Sequence, residues 1–342
     1  MLNRKNIVAT ALIIVLIAAS AYAIYALVIL PGAGPRQGTI SVVDIQGVTV
    51  TLQAPAKTVI SLEGGLTELI YALGAGDKIV GRDQYSTFPS SVVDKPVVAE
   101  HSYHPPLEKI LEIKPDLLLS NSNLIYDENQ TRNTLEAAGI AVYVDESNDP
   151  ETIETLVTNV GRLLGAEERA AKIVSFIQNY KNIVESRVKN LTENQKPKVY
   201  VELFDAWNTI SEFETSTITY VGGINIAADQ PIAYPIVSAE YIAEKNPDIM
   251  IRMRMVADSD MPTLQEQIKS RPALAGVNAV KNDKVYLYEP VIMQGVRYAA
   301  GLLYWAKWIH PELFQDIDPE TVHREIYTQF FEATYEGVFA YP

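Results

Sequence analysis

Residues suited to chemistry cluster in the loops of this 342-residue sequence. Tyr85, Tyr103, Trp207 and Tyr298 offer flat faces that can stack on a planar or macrocyclic molecule. Arg82, Arg252, Arg254 and Arg297 can pair with carboxylates, phosphates or other anionic groups. Glu63, Ser102 and Asn123 add hydrogen-bonding groups in similar loops. The competing role for each arginine is an ion pair within the protein. For each tyrosine it is half-buried packing, because the chain has 19 of them. Four such arginines in a chain of net charge −14 together point to an anionic ligand, such as a carboxylate-bearing metal chelate. His101 and His104 stand close together beside Glu100, but a tight metal site needs three or four converging ligands. Pro105-Pro106 also prevents a helical histidine pair, so these residues read as an exposed loop or a ligand contact and no metal site is assigned.

The same inventory argues against catalysis. The sequence contains no GxxxxGK[ST], GxSxG or HExxH. Glu63-Gly64-Gly65 lacks the further glycine of a dinucleotide fingerprint. Glu212 and Glu214 share one short segment without an evident acid–base partner. A binding protein is therefore expected, with no covalently bound cofactor. An exported hydrolase and a receptor or scaffold are the alternatives from other classes. The net charge disfavours nucleic acid. The absence of cysteine removes disulfides, thiolate metal sites, cysteine nucleophiles and a lipid-bearing cysteine.

Location is legible at the N-terminus. Arg4 and Lys5 precede Ile7 to Leu30, 24 residues without a charge. As a helix that run is about 36 Å long, enough to cross a bilayer. The flanking cations place the N-terminus inside and everything after residue 31 outside. A cleaved signal peptide is the rival, with Ala21-Tyr22-Ala23 as its cleavage site, although the apolar run continues past it. Pro31 to Gly38 reads as a linker, so 1–38 is anchor or signal plus linker. Asn129 and Asn190 begin N-glycosylation triplets, which an exported domain permits.

Patterns downstream predict the elements that position the candidate residues. Thr39 to Leu52 reads as a hairpin around Asp44-Ile45-Gln46-Gly47. Thr58 to Leu62 reads as a strand entering the turn Glu63-Gly64-Gly65, and Thr67 to Leu73 as a short helix. Strands and helices then alternate, which predicts an α/β lobe over 39–160. Glu167 to Asn190 keeps Ile173, Phe176, Ile177, Tyr180, Ile183 and Val184 on one stripe of a long helix, either a coiled-coil arm or a strut between lobes. That helix region spans 161–192, and a second α/β lobe occupies 193–342. Ligands of open α/β sheets bind at the carboxyl ends of strands, which selects the loops named above.

One local pattern occurs twice. Leu107-Glu108-Lys109-Ile110 leads to Pro115-Asp116 and an apolar run, and Ala239-Glu240-Tyr241-Ile242 leads to Pro247-Asp248 and another. Each reads as a short helix, a proline stop and a buried strand. Glu108 and Glu240 then occupy the first turns of equivalent helices, where the helix dipole favours a carboxylate by roughly 0.3–1 kcal/mol. Their duplication also gives each lobe one acidic knob, suited to a partner with two basic sockets.

The stretches TVISLEGGLTELIYALGAGDKIVGRDQYSTFP and LEKILEIKPDLLLS resemble the helical-backbone binding proteins of iron-siderophore, haem and cobalamin ABC importers. TYVGGINIAAD, VSAEYIAEKNPDIMI, RPALAGVNAVKNDKVYLYE and IHPELFQDIDPE extend the resemblance to about residues 39–335. It implies two Rossmann-like lobes with mainly parallel sheets, joined by one long helix and closing only slightly over a cleft ligand. The lobe-tip glutamates that dock into arginines of the permease dimer match Glu108 and Glu240. The ligand implied is an iron or cobalt chelate, either a ferric siderophore, a corrinoid or haem; an oxyanion such as molybdate is the alternative. The implied partners are that permease dimer and its cytoplasmic ATPase, with the binding protein a monomer. The chain departs from the bacterial pattern in having no lipid-bearing cysteine, a membrane helix taking its place.

Overall fold

The computed structural model describes residues 38–204, 206–211 and 216–342. The hydrophobic run Ile7–Leu30 with Arg4 and Lys5, nearly all of the linker, Asp205, Glu212 and Glu214 lie outside the described residues. Among the described residues, no helix is long and apolar enough to cross a membrane.

The chain begins as the expected hairpin, β1 (Ile40–Val43) antiparallel to β2 (Thr49–Leu52). Asp44 closes the turn by accepting from the backbone N–H of Gln46 at 3.0 Å and Val48 at 2.9 Å. The first sheet follows from β3 (Val59–Ser61), β4 (Ile79–Asp83), β5 (Val97–Ala99), β6 (Leu117–Ser120) and β7 (Ala141–Val144). All its neighbours are parallel, in the order β5-β4-β3-β6-β7. Its main helices are α1 (Gly64–Ala72), α2 (Leu107–Ile113), α3 (Gln130–Ala137) and α4 (Ile153–Leu164). After α5 (Glu167–Val188), the second sheet is built from β8 (Lys198–Glu202), β9 (Ile224–Asn225), β10 (Ile249–Met253), β11 (Val285–Tyr288) and β12 (Ala340–Tyr341). Its order is β12-β11-β10-β8-β9, with only β12 antiparallel. The helices here are α6 (Ser216–Tyr220), α7 (Ala239–Lys245), α8 (Met261–Lys269), α9 (Asn278–Lys281), α10 (Tyr298–Ile309) and α11 (Pro319–Ile326).

The duplicated motif is duplicated in space. Glu108 and Glu240 are exposed in the first turns of α2 and α7. The only fully buried residues of these two helices are Ile110 and Ile242. Both helices end on a left-handed residue, Lys114 at φ 49° and Asn246 at φ 47°, whose N–H returns to the buried isoleucine's carbonyl. Asp116 then accepts from the N–H of Lys57 and Thr58 just before β3, and Asp248 accepts from the N–H of Lys198 at the start of β8. The Pro-Asp pair thus ends a helix and pins the start of the neighbouring strand in both sheets.

Helix α5 has 22 residues, about 33 Å at 1.5 Å per residue. Ile173, Ile177 and Val184 of the expected stripe are buried, and Phe176, Tyr180 and Ile183 pack at its margins. The helix is a strut rather than an arm. Arg169 near its start donates to Ala72 O at the end of α1 and to Phe330 O, while Arg187 near its end bonds Leu313 O and forms a two-pronged pair with Asp316. One apolar cluster runs continuously from Val59 and Leu69 through α5 to Val296 and Ala299.

One ion pair is sunk between the two sheets' helices. Glu68 of α1 meets Arg297, which precedes α10, and the two side chains are 5% and 2% exposed. Burial pushes the Glu68 carboxyl up and Arg297 pulls it back, the burial being the larger effect. Arg297 also donates to Tyr327 Oη at 3.0 Å and lies against the rings of Phe88 and Phe339. Stripping one partner from a buried pair strands the other charge and typically costs about 3–5 kcal/mol, whereas replacing both with apolar residues is often neutral. Glu68→Ala should therefore lower the stability measured by urea unfolding by about 3–5 kcal/mol. The double variant Glu68→Leu, Arg297→Met should recover most of that loss; equal destabilisation in both would count against a charge-pairing role.

Candidate ligand-binding cleft

The carboxyl ends of the first sheet's strands meet the segment that follows β11. Glu63, directly after β3, is the N-cap of α1 and accepts from Gly65 N–H and Leu66 N–H, each at 2.8 Å. The helix consequently starts at Gly64, three residues earlier than the Gly-Gly turn predicted, because a side-chain carboxylate satisfies its first free N–H groups. Gly295, at φ +54°, donates its N–H to Ser147 O at 2.8 Å. A Cβ on Gly295 would stand 2.7 Å from Gly65 O, and one on Gly65 would stand 2.5 Å from Ser147 Oγ. The Gly295 backbone therefore lies against Gly65 O, and a side chain on Gly65 would collide with Ser147 and Gln294.

Buried acids surround this contact. Burial drives the Glu63 carboxyl up to about 7, against its two backbone hydrogen bonds and a bond from Ser147. Asp145, two residues from Ser147, is raised to about 6, again chiefly by burial, while accepting from Tyr143 Oη at 2.5 Å. Glu63 acts first as a helix cap, so its expected role as a ligand contact must be shared with that duty.

The arginines differ most from expectation, because each already has protein partners. Arg82 is buried and donates to the carbonyls of Lys95, Asp83 and Val93. Arg252 is buried against Glu202 and Asp258, at 3.3 and 3.0 Å. Arg254 pairs with Glu289 at 2.6 Å and donates to Ser259 O. Arg297 serves the pair with Glu68. Tyr298 is fully buried on α10, its hydroxyl 3.0 Å from Thr217 Oγ1. Trp207 is covered by the Arg271 guanidinium 5.0 Å from its ring centre. The four arginines are engaged within the protein because the net-acidic chain supplies carboxylates and carbonyls for them at closer range than a ligand, and Arg82 and Arg252 lie within β4 and β10 rather than in the loops expected.

Exposed aromatic faces remain at the strand ends. Tyr85 follows β4 and is 58% exposed. Tyr103 stacks edge-on with Tyr126, ring centres 5.1 Å apart, and Tyr126 is 73% exposed. Ser102 and Asn121 hydrogen-bond beneath them at 2.7 Å, with Asn123 exposed alongside and bonded through its N–H to Asn121. His101 and His104 flank Tyr103, their rings 6.1 and 4.2 Å from it, and among the described residues no group of acids and histidines could hold a metal. At the second sheet, Phe204, just past the carboxyl end of β8, forms a similar exposed pair with Tyr234, ring centres 5.9 Å apart, and Ile236 is 78% exposed. Tyr126, Tyr234 and Ile236 were not among the expected contacts. Their local signal is weak: Tyr126 is followed by the polar run DENQ, and Tyr234 and Ile236 stand on either side of Pro235.

Comparison with known proteins places these features in a family. The profile of the periplasmic binding protein family matches residues 59–291. The chain is 26% identical over 284 residues to an uncharacterised ABC transporter substrate-binding lipoprotein, YvrC, of Bacillus subtilis, covering 81% of this chain and 87% of that one. It is 26% identical over 238 residues to a vitamin B12-binding protein of Vibrio cholerae, covering 68% and 80% respectively. The crystal structure of the TroA-like periplasmic binding protein FepB from Veillonella parvula superposes with a TM-score of 0.74 at 26% identity, covering 88% of this chain and 99% of that one.

The Glu63 carboxyl sets a pH dependence whose sign follows from its raised value. Between about pH 4.5 and 7 the folded protein holds a proton that the unfolded chain has released, so this contribution is complete at the acid end and is lost as pH rises to about 7. Relative to wild type, Glu63→Gln should gain stability across that window, by no more than about 3 kcal/mol. Urea unfolding at pH 4.5 and pH 7.5 measures the change; a difference that stays constant would remove Glu63 as its source.

Proposed function

This chain belongs to the periplasmic binding protein family, the substrate-binding components of ABC transporters rather than enzymes, and from that premise we propose that it captures a corrinoid of the cobalamin type in the cleft between its lobes. The observation that carries the ligand class is the pairing of exposed aromatics at both sets of strand ends with arginines that are already neutralised. A macrocycle offers a broad face to Tyr103, Tyr126, Tyr85, Phe204 and Tyr234. A small oxyanion such as molybdate would find Arg82, Arg252, Arg254 and Arg297 engaged elsewhere. Ser102, Asn123 and Trp207 supply polar and edge contacts in this reading. The vitamin B12-binding relatives support the same class. A ferric siderophore or haem is the second reading, favoured by His101 and His104 beside the Tyr103 ring.

On this proposal the lobes are 39–160 and 193–342, with 161–192 as the connecting helix region. Glu108 and Glu240, exposed at equivalent lobe tips, dock into the permease dimer, whose cytoplasmic ATPase drives import. The segment Ile7–Leu30 holds the monomeric binding domain at the extracytoplasmic face, in place of the lipid that the term lipoprotein implies for the Bacillus subtilis relative.

Absorbance and mass spectra of the protein purified from its own cells test the ligand. Corrin bands with cobalt are expected; a haem Soret or ferric charge-transfer band selects the second reading, and molybdenum alone would sink both. Cyanocobalamin binding measured by tryptophan quenching should weaken roughly tenfold or more in Tyr103→Ala, Tyr126→Ala, the effect of losing two stacking partners. Glu108→Arg with Glu240→Arg should leave that binding intact while abolishing stimulation of the transporter ATPase. Full stimulation by the double variant would end the docking assignment.

A further inference from the structure

We infer that the flank of α1 carries a second ligand site, separate from the cleft, that takes a small uncharged molecule with a flat apolar body and one hydrogen-bond acceptor. The site is a half-open cavity of about 740 Å³, within the ~300–1,000 Å³ of small-molecule pockets. Tyr71 and Phe88 line it from the first sheet's side, and Arg297, Tyr327, Phe331 and Phe339 from the second. Tyr71 lies eight residues beyond Glu63 on the same helix, about 12 Å farther along its axis. Of the candidate cleft residues only Arg297 borders this cavity.

The lining specifies the ligand. The Phe88 ring lies 4.9 Å from Phe331 and 5.0 Å from Tyr327, centre to centre, so an aromatic wall is already assembled. Hydroxyls of Thr87, Ser90, Ser91 and Thr334 also line it, and its one buried charged residue is Arg297, 2% exposed. Its terminal nitrogens serve Glu68 and Tyr327, but its Nε is buried with no hydrogen-bond partner. A buried donor left unpaired typically costs about 1–3 kcal/mol, which an acceptor oxygen on a ligand would relieve. That oxygen should belong to a neutral group. Glu68 already balances the guanidinium, and the neighbouring His323, packed 4.8 Å from the Phe339 ring, is held down to about 3 by burial and by Arg297 and Arg324. The guanidinium thus already faces a carboxylate, and His323 adds no charge at neutral pH. Exposed Glu332 and Glu336 stand at the rim and repel anions, while a cation would face the Arg297 guanidinium. Because the walls come from both sides of the lobe boundary, an occupant would tie the two together.

Benzamide is a suitable probe, with benzoate and benzylamine as its charged counterparts, in saturation-transfer NMR on the detergent-solubilised full chain. Benzamide should bind wild type and the cleft variant Tyr103→Ala, Tyr126→Ala equally. Its affinity should fall at least tenfold in Ser90→Trp and in Ala333→Trp, which fill the cavity from opposite walls at positions outside the buried core. Circular dichroism confirms that these variants fold. No saturation transfer to benzamide, unchanged binding in both folded tryptophan variants, loss in the cleft variant, or equal binding of either charged counterpart would each overturn the site.

Discussion

A charge pair out of reach of water decides how the two halves of this molecule meet. Glu68 and Arg297 come from different lobes and share one buried space between α1 and the turn before α10. Removing such ions from water costs several kcal/mol each, and good geometry is needed to offset it. Here the geometry is supplied by aromatic rings. Phe88, Tyr327 and Phe339 lie against the guanidinium, which stays 2% exposed at the edge of the cavity they share. With α1 fixed in this way, its first turn and the capping Glu63 are set at the carboxyl ends of the strands, next to Ser147 and Gly295. The cleft loops therefore take their positions from an interaction that lies behind them.

The second organising feature is repetition. A short helix, a left-handed stop and an aspartate that pins the next strand occur once per sheet, and each copy presents a glutamate at its exposed start. The strut α5 connects the copies through a continuous apolar cluster and is bonded at both of its ends. Two equivalent tips on a stiff frame keep a fixed separation, which a flexible loop linkage would not enforce.

The chain's periodicities revealed the fold more readily than the site. The stripe Ile173–Ile177–Val184 and the repeated Pro-Asp units are short-range patterns, and both correspond to elements in the structure. The arginines were misleading for a physical reason: whether a guanidinium faces a ligand depends on which carboxylate the fold brings to it. Glu202 lies 50 residues before Arg252 in sequence and Glu68 lies 229 before Arg297, distances over which no local pattern carries information. Glu68 did leave a trace, as a lone charge in the apolar helix LTELIYAL, but nothing local names its partner. The exposed aromatics were half legible. Tyr85 and Tyr103 stand in recognisable strand-end loops, while Tyr126 and Tyr234 lie in segments whose path only the tertiary structure defines.

The glycine contact at Gly65 and Gly295 bears on how such a molecule lets go. Two backbones in van der Waals touch, secured by a hydrogen bond to Ser147 O, act as a mechanical stop. Closer approach of the halves is blocked at that point, and separating them would pull apart the buried pair behind it. Spreading the halves would carry the cost of separating that buried pair, which resists opening in the absence of outside force. If Glu108 and Glu240 dock as proposed, a receptor gripping both tips would have the leverage to supply it, and unloading would be confined to the place where that receptor sits.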